Sequence, residues 1–213
     1  MLKAAGVYSN PGWYCGQKNL RLLATQVARE KAALGPGWQM IPTLTTMGAT
    51  AFAGGRLRSD EMFDIWAQSF ANGATGVAIF EDPYTDDPGT YLAMAEAISI
   101  AAKHEDIIFD GTASSAVTVH SGNAVGSAIK KGSRHFIAIS PDAIDAYAGT
   151  DTPPASTVDV SFAAEGAAML SDLRDAGKPP TKCAGTCRMQ LQLDSTAVFL
   201  LAPAAAGAGQ VEA

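Results

Sequence analysis

The chain has 213 residues, 47% hydrophobic and 17% charged, enough apolar material for a sizeable core in one or two domains. Lys and Arg total 15 against 21 Asp and Glu, a net charge of −6, which gives no general pull toward phosphate backbones or anionic lipid. With no dense Lys/Arg run, no nucleic-acid-binding motif and no stretch near the roughly 18 apolar residues of a membrane span, neither nucleic acid nor membrane insertion is expected.

The first 110 residues repeat one pattern of apolar strand, Gly- or Pro-bearing loop and amphipathic helix. The first strand is predicted at Ala4–Ser9. Met1 to Ser9 reads as the entry to a buried strand, its apolar stretch too short for a secretory signal and running straight into Asn10, Pro11 and Gly12. A domain rarely starts inside a strand whose neighbours are not supplied, so a preceding segment or a partner chain is expected. Leu20, Leu23, Val27 and Ala28 share a face of a helix over Asn19–Leu34, stopped by Gly35-Pro36-Gly37. A second strand is predicted at Gln39–Leu44, followed by a long loop, Thr45–Leu57. Ser59-Asp60-Glu61 then favours helix initiation through capping and first-turn carboxylates, with the helix over Asp60–Asn72 and Gly73 ending it. Gly76–Phe80 reads as a third strand, near-continuously apolar as a parallel strand buried on both faces should be. A loop through Glu81, Asp82 and Pro83 leads to a helix over Gly89–His104.

From Ser114 the pattern changes to short, β-rich segments: Ala116–His120, Ala124–Lys130, His135–Ser140, Thr157–Phe162, Ala167–Leu173, Met189–Leu193 and Thr196–Leu201. Turn residues separate them at Ser121-Gly122-Asn123, Lys131-Gly132-Ser133 and Asp194-Ser195, the signature of an antiparallel β-sandwich. The expected domains are therefore 1–110, 114–203 and a flexible Ala/Gly-rich tail at 204–213. Cys183 and Cys187 bracket Ala-Gly-Thr in a turn-like segment and can approach each other. A small disulfide loop is the favoured reading and two free thiols the alternative. No second Cys or His pair sits at zinc spacing, so no metal is expected, and no cofactor motif is present. Cys15 is left free or paired outside the chain. A disulfide implies an oxidising compartment, hence an extracellular or secretory location.

Gly37-Trp38-Gln39-Met40-Ile41-Pro42-Thr43-Leu44, Asn72-Gly73-Ala74-Thr75-Gly76-Val77-Ala78-Ile79-Phe80 and Tyr91-Leu92-Ala93-Met94-Ala95-Glu96-Ala97 resemble the closing units of glycoside-hydrolase barrels. Lys130 to Ser140, Leu170 to Leu173 and Thr196 to Leu201 resemble strands of their C-terminal β-domains. The resemblance is one of order and texture over nearly the whole chain. It implies an α/β plus all-β fold: the last three βα units of a (β/α)8 TIM-type barrel, followed by an antiparallel β-sandwich. Three units cannot close a barrel, so the resemblance also implies an upstream barrel segment.

Barrel chemistry lies at the C-terminal strand ends. After the first strand, Tyr8, Trp13 and Tyr14 combine aromatic faces with hydrogen-bonding groups that suit a sugar, or they pack a loop onto the rim. After the second, Thr45 is a candidate substrate contact. After the third, Glu81 and Asp82 are the catalytic candidates; adjacent residues point to opposite sides, so at most one faces the barrel axis. Glycosidase chemistry typically needs a pair of carboxyl groups, roughly 5–9.5 Å apart. The first and second strands end without Asp or Glu, so any acid/base pair is expected largely upstream, or the barrel has lost catalysis. Glu81 alternatively binds a hydroxyl or an Arg, and Asp82-Pro83 starts a turn. His104, at a helix C-terminus, is favoured as a cation by the helix dipole. Three functions follow: the C-terminal portion of a glycoside-hydrolase-like protein acting on carbohydrate and inactive alone; a non-catalytic carbohydrate-binding or structural protein on a degenerate barrel; or another barrel enzyme with a sandwich appended.

Overall fold

The computed structural model describes residues 20–34, 39–45, 59–80, 88–142 and 156–204. The first elements are α1 (Leu20–Leu34), β1 (Thr43–Thr45), α2 (Ser59–Ala71), β2 (Ala78–Phe80), α3 (Pro88–Ala102) and α4 (Glu105–Asp110). Then come β3 (Thr112–Ala113), β4 (Val117–Ser121), β5 (Ala124–Lys131), β6 (Arg134–Pro141), β7 (Ser156–Asp172), β8 (Thr181–Leu193) and β9 (Ala197–Pro203). The expected first strand, Ala4–Ser9, and the tail from 205 lie outside the described residues.

β1 and β2 pair in parallel, Thr43 opposite Ala78, Leu44 opposite Ile79 and Thr45 opposite Phe80. The expected strand at Gln39–Leu44 is thus shifted toward its C-terminus. Pro42 has no N–H to give the ladder; its carbonyl instead accepts from Ala78 N at 3.0 Å. Met40 is held by the loop before β2, through Thr75 N to Met40 O at 2.8 Å and Met40 N to Thr75 Oγ1 at 3.2 Å.

α1 buries Leu20, Leu23, Ala24 and Val27, one helical face. α2 ends as the sequence predicts. Gly73, at φ +91°, donates to Phe70 O at 2.9 Å, and Ala74 N reaches Ser69 O at 3.0 Å. That pair of bonds satisfies the last carbonyls and needs a left-handed residue, hence glycine. The helix predicted to run to His104 stops at Ala102, and α4 starts at Glu105 after two intervening residues. Ile107 and Ile108 are buried, and turning the chain at His104 lets this second short helix seat them.

The seven later strands form one antiparallel sheet in the order β3-β5-β6-β9-β7-β4, with β8 paired to β7. β5 and β6 make a two-residue hairpin with Lys131 opposite Arg134 and Gly132 at φ +59°. The turn at Gly122 has a different outcome: β4 leaves its neighbour in sequence and pairs with β7. Val117 and Val119 of β4 come to lie over Gly126 of β5.

Side-chain alternation divides the apolar residues into two cores. Phe136 and Ala138 of β6, Ile129 of β5 and Val198 of β9 pack with Met62, Phe63, Trp66 and Phe70 of α2 and with Met94 and Ile100 of α3. Ile137 and Ile139 of β6, with Phe199 and Leu201 of β9, face the other way against Val158, Val160 and Phe162 of β7. β6 is therefore buried on both faces, which explains a run from His135 to Pro141 with no exposed residue.

The predicted strands Thr157–Phe162 and Ala167–Leu173 are one strand, β7, and Met189–Leu193 is the end of a longer strand, β8. The ladder between them slips between Ala163 and Ala167, and that irregularity is what reads in sequence as a break. Cys183 and Cys187 flank the same point on β8 and form a disulfide, their Cα atoms 5.3 Å apart. An extended strand would separate residues four apart by roughly 13 Å, so β8 must buckle here; Gly185, at φ +75°, supplies the left-handed residue. Cys15 lies outside the described residues. Replacing both Cys183 and Cys187 by Ser should cost about 2 kcal/mol, the chain-entropy value for so short a loop. An unchanged urea midpoint would show that the bridge adds nothing.

Candidate functional site

Parallel pairing puts the C-terminal ends of β1 and β2 side by side, with Thr45 next to Phe80 in register. This is the end at which the sequence places the chemistry. Of the candidates, Thr45 closes β1, while Tyr8, Trp13, Tyr14, Glu81 and Asp82 lie outside the described residues, the last two directly following β2 in the chain.

The described polar groups do structural work that the sequence reading missed. Asp64 and Gln68 of α2 are buried, as are Ser140 of β6 and Thr196 before β9. Asp64 Oδ1 accepts from both Thr196 N and Thr196 Oγ1 at 2.6 Å. Thr196 Oγ1 lies 2.6 Å from Ser140 Oγ, which accepts from Gln68 Nε2 at 2.8 Å. Gln68 Nε2 also reaches Val125 O at 3.2 Å. Arg174, in the β7–β8 turn, donates to Thr196 O at 3.0 Å and Glu96 Oε1 at 2.9 Å, and its guanidinium sits 4.0 Å above the Phe63 ring. At the other end of the layer, Arg21 of α1 donates to the buried Asp142 carboxylate at 2.8 Å and to Ala124 O at 3.1 Å. The available sequence signal was the spacing of Asp64 and Gln68, one turn apart on a helix otherwise rich in large apolar residues.

Burial dominates at His104 and His135. It pushes the His104 imidazole below its usual pKa, aided by Arg134 and opposed by Asp106, so the dipole-favoured cation expected there is not what the packing supports. Burial, with Lys130, likewise lowers His135, whose Nδ1 lies 2.9 Å from Ser114 Oγ. On the exposed sheet face, hydrogen bonding to Arg188 holds Asp159 below the usual carboxylate value. Among the described residues no three His, Cys, Asp or Glu side chains are grouped to hold a metal, and no helix is long and apolar enough to cross a membrane.

These shifts fix a pH dependence. The unfolded chain protonates its histidines as pH falls through 6.5, while His104 and His135 in the folded chain resist. The unfolded state then binds more protons, so stability falls with pH below about 6.5. Asp159 acts in a lower window, its contribution lost only as pH falls from 3.8 through its lowered folded value. Tm should therefore drop between pH 7.5 and pH 5, and the double variant His104→Gln/His135→Gln should flatten the drop. Identical slopes in wild type and variant would show that other groups set it.

No protein-family model matches the chain, and comparison with curated proteins returns no match. The fold is nevertheless that of known structures, and those structures are glycoside hydrolases. An α-amylase from Anoxybacillus, described as a new glycosyl hydrolase subclass, superposes with a TM-score of 0.53 at 10% identity, over 87% of this chain and 46% of its own. An α-amylase from Geobacillus thermoleovorans, solved with acarbose, gives 0.54 at 10% identity over 89% and 46%. A maltogenic α-amylase, AmyB, from Thermotoga neapolitana gives 0.51 at 8% identity over 91% and 48%. The chain thus spans about half the length of the structures it resembles.

Proposed function

We propose that the chain is the C-terminal portion of a carbohydrate-active, glycoside-hydrolase-like protein. Residues 1–110 are the last three βα units of a (β/α)8 barrel, 114–203 an antiparallel β-sandwich and 204–213 a tail. The observation that carries this reading is the parallel β1–β2 pair with its helices stacked on the antiparallel sheet, in a chain of which 87–91% superposes on α-amylases. An upstream barrel segment, in the same polypeptide or a partner, completes the cleft. The disulfide supports an extracellular or secretory setting.

In the completed barrel Tyr8, Trp13, Tyr14, Thr45, Glu81 and Asp82 converge on one cleft, because parallel strands bring their following loops to one end. Trp13 or Tyr14 stacks on a sugar face, Thr45 contacts a hydroxyl, and Glu81 or Asp82 is a hydrogen-bonding or acid/base group. The test is calorimetric titration with acarbose of the protein extended by its upstream coding sequence. Binding is expected, and Trp13→Ala should weaken it while leaving the fold intact. Hydrolysis of starch or aryl glycosides by the 213-residue chain alone would overturn the partial-barrel reading. One observation favours a second reading, a degenerate, non-catalytic barrel: β1 ends in Thr43-Leu44-Thr45 without a carboxylate. Acarbose binding without turnover in the extended protein would select it.

A further inference from the structure

We propose that the Cys183–Cys187 bridge is a redox latch: a dithiol reductant opens it, and the outer segment of β8, residues 181–184, then detaches from β7 while the rest of the sheet holds. The inference concerns the antiparallel sheet alone and stands or falls apart from the carbohydrate reading.

The bridge joins two residues of one strand, so it ties no second element to the fold. What it fixes is a kink. Between the pairs Ala163 with Thr186 and Ala167 with Ala184, β7 advances four residues while β8 advances two. Both strands bend through a left-handed glycine, Gly166 at φ +94° and Gly185 at φ +75°. Cys183 and Cys187 stand on either side of Gly185 with Cα atoms 5.3 Å apart. Four extended residues cover roughly 13 Å, so β8 straightened at Gly185 carries Cys183 about 8 Å out of place, more than two residue rises. The pairs from Ala167 with Ala184 to Leu170 with Thr181 do not survive that displacement.

The two halves of β8 are held differently. Residues 187–193 bury Leu193 and pack Cys187, Met189 and Leu191 against the second core. They also carry the Arg188–Asp159 and Gln192–Thr157 hydrogen bonds. In the outer segment Thr181, Lys182 and Ala184 are exposed, and only Cys183 is buried. The preceding Pro179 and Pro180 have no N–H to add to the ladder. β7 stays in place without this segment, because its residues 159–162 pair with β4 and its residues 168–172 with β9. Opening therefore gives up few contacts, which is what makes a segment open locally ahead of the whole fold.

The exchange balances within the pair of reactants. A thiolate of the reductant attacks the half-buried Cys187 sulfur, and Cys183 leaves and takes a proton. The second thiol of the reductant then displaces Cys187, which is protonated in turn. The dithiol ends as a disulfide, and two electrons and two protons have passed to the chain. The latch is shut in an oxidising compartment and open in a reducing one.

The test is hydrogen exchange on the 213-residue protein, any thiol free at the outset first blocked with N-ethylmaleimide, before and after dithiothreitol in native buffer. Iodoacetamide should then label both Cys183 and Cys187. Exchange of the amides at 181–184 should quicken at least about tenfold, those of Ile137 and Ile139 in β6 should not change, and oxidised glutathione should restore the protection. The double variant Cys183→Ser/Cys187→Ser should exchange like the reduced protein with or without dithiothreitol. Four results would each overturn the latch: a bridge that dithiothreitol reaches only after denaturant, exchange at 181–184 that ignores reduction, protection that does not return on reoxidation, or faster exchange in β6 as well. The last would make the bridge a staple of the whole sheet.

Discussion

On the function proposed above, replacing Glu81 with Gln in the completed barrel should lower turnover by about 10²–10⁴-fold, the range for loss of a general acid or base. The substitution keeps the shape of the side chain and removes its charge and its proton. Glu81 follows directly on β2, whose C-terminal end lies in register with that of β1, the end at which barrel enzymes work. Asp82→Asn is the paired control: side chains alternate along an extended chain, so only one of the two should reach the axis. A loss confined to Asp82→Asn would exchange their roles, and a small effect of both would make them binding or structural groups. Acarbose affinity measured on the same variants separates a chemical defect from a binding defect.

Asp64→Ala should destabilise the fold by about 2–4 kcal/mol, because it strands two buried donors at once. Both the amide and the hydroxyl of Thr196 point at Asp64 Oδ1, and Thr196 is 1% exposed. Asp64→Asn, which keeps an acceptor oxygen in place, should cost clearly less. In a double-mutant cycle, Thr196→Val should lose most of its own penalty once Asp64 is already Ala. Equal urea midpoints for Asp64→Ala and wild type would show that this network does not hold α2 to the sheet.

Locally encoded features were legible in the sequence. The bounds of α1 and α2 follow from apolar spacing and from Gly73, and the β5–β6 hairpin from the residues around Gly132. What the sequence hid was non-local. The Gly122 turn looks like a hairpin, yet β4 pairs with β7, because burying Val117 and Val119 over Gly126 is a choice made across the fold. Asp64 and Gln68 look solvated in isolation, and their buried partners Thr196, Ser140 and Val125 come from distant parts of the chain. His104 follows the C-terminus of α3 but also takes the N-cap position of α4, where a dipole disfavours a cation, and burial lowers its pKa further. Of the candidate site, the structure describes only the paired ends of β1 and β2; Tyr8, Trp13, Tyr14, Glu81 and Asp82 lie outside the described residues. Which of Glu81 and Asp82 points inward depends on the register of a strand that ends one residue earlier, and a slip of one residue reverses the answer.

β6 has a consequence for how this protein can be cut. Its odd and even residues belong to different cores, Ile137 and Ile139 to one and Phe136 and Ala138 to the other. It works as a party wall: neither room keeps its shape when the other is demolished. A fragment starting near Ser114 would carry one dry face and one face of Ile129, Phe136 and Val198 abruptly wetted, and would clump before its own stability could be measured. Heat should accordingly melt helices and sheet in a single event, and grafting the sheet onto another protein would succeed only if a replacement for α2 travelled with it.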